Sequence, residues 1–134
     1  MRVWSVGLSL VAALSLVGCS GATFKRPELK LPAAESFKAG TCRDASGTIL
    51  SLGHFTYDHA SDKSLSNQDR SQLKDASDQL TKVKAKATDP LTQQLTDVIA
   101  AIGWIRLRVE PTYDSSLMRD LEVARGKLQQ SCVA

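Results

Sequence analysis

The chain is poor in aromatic residues, which make up 5% of its 134 residues, and it has only four prolines, three cysteines and two histidines. So little proline excludes collagen-like and proline-rich states, and 43% hydrophobic with 23% charged residues excludes disorder over the whole length. One sign of charge barely outweighs the other: 17 Lys and Arg against 14 Asp and Glu leave a net charge of +3. A nucleic-acid binder concentrates far more basic charge on one face, so no nucleic-acid partner is expected. The short catalytic motifs are missing too: no P-loop, no dinucleotide fingerprint, no Gly-X-Ser-X-Gly elbow, no Cys-X-X-Cys pair and no haem-attachment site. Acidic residues are scattered over capping and solvent positions, with no pair marked out for glycoside hydrolysis. The length allows one domain, and the expected class is a non-catalytic protein without a cofactor.

What is present first is an address. Arg2 precedes an apolar run from Val3 to Val17, broken only by Ser and Gly. A run of about 15 residues falls short of the roughly 20 that a bilayer-spanning helix needs, and fits the core of a signal peptide. It ends in Leu16-Val17-Gly18-Cys19. These four residues resemble the lipobox of bacterial lipoproteins: a branched apolar residue, a small or β-branched one, Gly or Ala, then Cys. The resemblance covers about the first 19 residues. It implies a diacylglyceryl group on the Cys19 thiol, cleavage after Gly18 and acylation of the new amino terminus, so that residues 1–18 are a signal peptide. Two or more acyl chains, at about 0.8 kcal/mol per buried methylene, anchor a protein stably. Ser20 rather than Asp at the second mature position favours the outer membrane in a host that has one, and otherwise the outer face of the cell membrane is expected.

Cysteine parity agrees. Three cysteines are awkward for an exported protein, whereas lipidation of Cys19 leaves Cys42 and Cys132 as one pair in a compartment where disulfides persist. Residues 19–40 form the expected lipidated tether, with two prolines and no sustained apolar period. As a coil it has an r.m.s. reach of about 25 Å, and Lys25, Arg26 and Lys30 are expected to serve solubility, with attraction to anionic headgroups as the alternative.

From Thr41 to the end at residue 134 the apolar spacing becomes helical. Thr41 and Asp44 fit a capping box, and Cys42, Ala45, Ile49 and Leu52 share one helical face. Gly53 is expected to end this short first helix, with a strand over 48–52 as the alternative because Gly47 weakens the helix. Residues 53–66 read as a polar loop holding Phe55 and Tyr57. Ser66 and Asp69 form a second capping box, opening a narrow a/d seam of Leu73, Ala76, Leu80, Val83 and Ala87. Asp89-Pro90 predicts a third start, with Asp as cap and Pro at the first helical position. Leu91, Leu95, Val98, Ile102 and Ile105 follow it, and Trp104 and Leu107 widen the apolar arc of what is expected to be the most buried helix. The last helix is expected from about Thr112 to Gln130, with Tyr113, Leu117, Leu121, Ala124 and Leu128 inward.

The fold class is therefore all-α, a small antiparallel bundle of three long helices and a short first one. Short connections put the start of the first helix and the end of the fourth at one end, where Cys42 and Cys132 would form a disulfide. In its general build this domain resembles the small helical lipoproteins of bacterial envelopes, a likeness that carries over no activity and no site residue.

Two candidate constellations remain. Trp104, Arg106, Arg108 and Arg119 cluster in sequence around the last turn, and would make an aromatic-guanidinium contact for an anionic envelope ligand or a partner carboxylate. His54, Asp58 and His59 offer two nitrogens and a carboxylate to a metal, but their spacing does not align on one helix face, so no metal site is expected. The functional expectation is a lipid-anchored envelope protein that binds or scaffolds an envelope protein or polymer. The alternative is a small-ligand or metal carrier using the His54–His59 loop.

Overall fold

The computed structural model describes residues 27–108 and 114–133. The proposed signal peptide, Cys19, the first part of the tether and Tyr113 lie outside the described residues. Four helices follow in order: α1 (Thr41–Asp58), α2 (Asn67–Lys84), α3 (Leu91–Leu107) and α4 (Ser115–Cys132). Each packs on its neighbours in sequence, and α4 closes the ring on α1. Among the described residues there is no strand, only one isolated antiparallel bridge between Phe37 and Val133. The all-α bundle and the Cys42–Cys132 disulfide, with its Cα atoms 5.2 Å apart, are both present. No helix among the described residues is long and apolar enough to cross a membrane.

The core is a continuous column of fully buried side chains, including Ile49 of α1, Leu73 and Leu80 of α2, Ile102 of α3, and Leu121 and Leu128 of α4. Each such side chain contributes about 1.5–3 kcal/mol of transfer free energy. The heptad spacing of α2 is realised as far as Val83: Leu73 and Leu80 are buried and Ala76 and Val83 pack against the core, whereas Ala87 packs there from beyond the end of the helix at Lys84. Its capping box is complete, with Ser66 Oγ accepting from the Asp69 N–H at 3.1 Å and Asp69 Oδ2 accepting from the Ser66 N–H at 3.0 Å.

Several local expectations are corrected. The first helix is not short. It runs 18 residues through Gly53, and Phe55 and Thr56 are core positions rather than loop. Thr41 does not cap it; Gly40 does, at φ +88°, a conformation that favours glycine, with its carbonyl accepting the Asp44 N–H at 3.0 Å. At the start of α3 the cap is Pro90, and the Asp89 side chain makes no capping bond. The most buried helix is α1, with eight buried residues against four on α3. The arc of α3 is narrower than expected, leaving Trp104 and Leu107 59% and 74% exposed.

The largest departure lies ahead of α1. The part of the expected tether from 27 to 40 is laid along the bundle as a strap. The Pro27 carbonyl accepts from the Tyr57 hydroxyl near the C-terminal end of α1 (3.0 Å). Leu31 covers Gly53 one turn further back. A single 3-10 turn at Ala34–Ser36 then delivers Phe37, 1% exposed, to the opposite end. There the Lys38 N–H donates to the Cys132 carbonyl at 2.7 Å, and the Arg43 guanidinium donates to the carbonyls of Phe37 and Glu35. The strap thus runs antiparallel to α1 over its whole length.

Candidate binding groove

Gly53 explains how the strap can lie so close. A Cβ at this position would sit 3.0 Å from both Leu31 methyl groups and 3.2 Å from the Arg125 guanidinium carbon. Glycine here serves close approach rather than helix termination. Arg125 is 4% exposed, on the same stripe as Leu121, Leu128 and Cys132. Such a charge must be paired and fully hydrogen-bonded, and all its reach is used within α4. Its Nε donates to Glu122 Oε2 at 2.7 Å, its Nη2 to Glu122 Oε1 at 2.5 Å, and its Nη1 to Gln129 Oε1 at 2.7 Å. The Thr56 hydroxyl of α1 donates to Glu122 Oε2 at 2.5 Å, tying the two helices together.

This network forms the floor of an open cavity of about 540 Å3 between α1, α4 and the strap. Leu29, Met118 and Tyr57 supply apolar wall, Glu122 the polar floor, and the exposed Arg119 stands at the rim. The volume lies within the range of small-molecule and peptide-anchor sites. Electrostatically, Arg125 compensates the Glu122 carboxylate, and the exposed Arg119, whose charge also acts on Asp114, is the groove's cationic rim. Asp114, the α4 cap, is drawn towards its anionic form first by the Ser116 backbone N–H that donates to it at 2.8 Å, then by Arg108 and Arg119. Its carboxyl is held below the ordinary carboxylate range.

The four residues proposed as one aromatic-guanidinium contact do not line one groove, although Arg108 and Arg119 both act on Asp114. Trp104 stands over a separate shallow groove of about 260 Å3 between α3 and α4, lined by Ala100, Ala101 and Ala124. Arg106 lies towards α2, where Lys74 first, bonded at 2.7 Å, and then Arg106 and Lys82 hold Asp78 below its usual range. The Arg108 carbonyl accepts from Arg70 Nη1 at 2.9 Å, and Arg119 faces the α1–α4 groove.

His54, Asp58 and His59 also part company. His54 and Asp58 are exposed on α1, while His59 caps that helix, with its ring 4.4 Å from the Phe55 ring. Both His59 nitrogens face carboxylates, Nδ1 to Asp62 at 2.6 Å and Nε2 to Asp69 at 3.5 Å. Although partial burial opposes its charge, Asp69 is held below the ordinary carboxylate range by its bonds with Ser66 and by His59. Among the described residues no group of three or more His, Cys, Asp or Glu is arranged to hold a metal ion.

Sequence reasoning missed Thr56, Glu122 and Arg125. The signal was present in Arg125, an arginine at an inward position with Glu122 three residues before it and Gln129 four after. Comparison with protein-family models, curated proteins and solved structures gives no match.

Proposed function

We propose that this chain is a lipid-anchored protein of a bacterial envelope that binds a partner through the α1–α4 groove, without catalysis. The anchor is the Cys19 thioether implied by Leu16-Val17-Gly18-Cys19. Cys19→Ala is expected to give an unprocessed or released protein; a variant of mature mass still in the membrane fraction would refute the anchor.

The observation that carries the binding role is the groove itself, an apolar-walled cavity of about 540 Å3 on a rigid, disulfide-closed frame. Its lining includes no histidine or cysteine, and Thr56 and Arg125 already engage its carboxylate, which favours recognition over chemistry. With Glu122 compensated by Arg125 and Arg119 exposed at the rim, the fitting ligand is an apolar segment ending in an anionic group. Such a group belongs to an envelope polymer or to a partner protein's carboxylate.

Dodecyl phosphate, used below its micelle threshold, is a direct probe. At 100 times its Kd it adds about 2.7 kcal/mol and raises the melting temperature by several degrees. The rise is expected to vanish in Arg119→Ala and to be absent with dodecyltrimethylammonium. Equal responses to both amphiphiles, or none to either, would refute the assignment.

A further inference from the structure

We infer that the end of the bundle carrying Trp104 and Leu107 is a membrane-contacting surface that rests in the headgroup layer of the bilayer holding the anchor. The inference rests on the lipid anchor at Cys19 proposed above, and adds to it which way the domain faces.

The argument begins with where the ordered chain starts. Residues 27–37 run from the C-terminal end of α1 to its N-terminal end, because Pro27 meets Tyr57 whereas Phe37 meets Val133. The anchored cysteine is therefore joined to the C-terminal end of α1, and only eight Cα-to-Cα steps lead from Cys19 to Pro27. Fully extended, eight residues span at most about 28 Å, and as a coil their r.m.s. reach is about 16 Å. An 18-residue helix such as α1 is itself about 27 Å long. At its coil reach the tether keeps the end near Pro27 closer to the bilayer than the end closed by the disulfide.

The near end holds the C-termini of α1 and α3 and the N-termini of α2 and α4, as the Arg70–Arg108 hydrogen bond and the Tyr57–Ser115 cavity wall require. Trp104 and Leu107, one turn apart at the end of α3, are 59% and 74% exposed there. Arg108 follows them and is exposed, whereas Arg106 lies towards α2. An amphipathic indole prefers the interfacial layer, and arginine stems snorkel beside it. Of the described acids at this end, Asp62 and Asp69 are engaged with His59 and Asp114 with the Ser116 N–H, while Glu28 and Asp58 are exposed. The contact is mainly apolar, so moderate salt will not release it.

Trp104 is the sole tryptophan after residue 18, so it reports its own position. The test uses the mature lipidated protein, reconstituted into phosphatidylglycerol–phosphatidylcholine vesicles with lipids brominated in the upper acyl chain. The protein is expected to float with the vesicles, with Trp104 emission shifted to the blue and reduced by the brominated lipid. A variant with Trp104→Phe and Lys86→Trp moves the indole to the far end, and is expected to float unquenched. Protein that does not float refutes the anchor and the inference together. Floating protein with Trp104 unquenched, or with both positions quenched alike, leaves the anchor standing and overturns the orientation.

Discussion

The α2–α3 side and the α1–α4 side of the bundle are closed in different ways. Between α2 and α3 the contact is an apolar seam of Leu73, Leu80, Leu95 and Ile102, with solvated charges outside it such as the Lys74–Asp78 pair. Between α1 and α4 the apolar core is supplemented by a buried arginine, an inter-helix hydrogen bond from Thr56, a third element laid over Gly53 and a disulfide at one end. A plain seam stabilises the bundle and asks little of its surface. The other side combines covalent closure, a buried charge and an open cavity, an expensive arrangement for stability alone. The difference teaches that the α1–α4 side is where this small fold departs from what packing requires, and function is best sought there.

The comparison breaks most sharply at the disulfide. Cys42 and Cys132 are 90 residues apart in sequence, and the chain-entropy model assigns such a closure about 4–5 kcal/mol. The double variant Cys42→Ala, Cys132→Ala is expected to lose about that much in urea unfolding, and a loss below about 1 kcal/mol would show that the strap and helix contacts hold the end closed unaided. Next comes Glu122→Ala, which leaves the Arg125 guanidinium buried with Gln129 alone. Because Glu122 is half exposed, the expected loss is at the lower end for broken buried pairs, about 3 kcal/mol.

The two glycines of α1 sharpen the contrast. At Gly47 a Cβ meets nothing within 4 Å, so Gly47→Ala is expected to stabilise by about 0.5–1 kcal/mol through helix propensity. At Gly53 the same change pushes on Leu31 and Arg125, and a net loss of about 1–2 kcal/mol is expected. Equal effects at both positions would mean that the strap yields freely.

The smallest effect lies on the plainer side. Asp69 is held below its ordinary range, so its contribution is present above about pH 4 and lost as pH falls through the lowered value. Asp69→Asn is expected to lower the neutral plateau of a stability-against-pH curve and to flatten its acid limb, bringing variant and parent together at low pH. Ser66→Ala, which removes the other half of the capping box, should cost about 1 kcal/mol at any pH at which Asp69 is charged.

What could be read in the sequence divides along the same line. The α2 seam and the Ser66–Asp69 box were legible because they depend on residues within one or two turns of each other. The Cys42–Cys132 pairing was legible because antiparallel topology puts the two cysteines at one end of the bundle. The α1–α4 side was not, because its causes are non-local. Gly53 followed the local rule for a helix stop until Leu31, 22 residues earlier, needed its space. Leu29, Leu31 and Phe37 sit in a proline-containing stretch without helical period, and their burial depends on a surface supplied by α1 and α4. Trp104 was expected inward because α3 is apolar nearly all round, yet the core had room for only its Leu95–Val98–Ile102–Ile105 stripe. Arg125 was hidden by the opposite habit, since a charged residue reads as solvated until its partners are counted.

The central claim, that the α1–α4 side binds and the α2–α3 side only supports, is tested most directly by residue-resolved amide NMR during titration with dodecyl phosphate. Shift changes are expected at the strap residues Leu29 and Leu31, at Gly53 to Ala60 and at Ser115 to Glu122, with the solvated face of α2 from Lys74 to Lys82 unmoved. Changes centred on α2 or on the Trp104 groove, or a spectrum that does not respond at all, would contradict it.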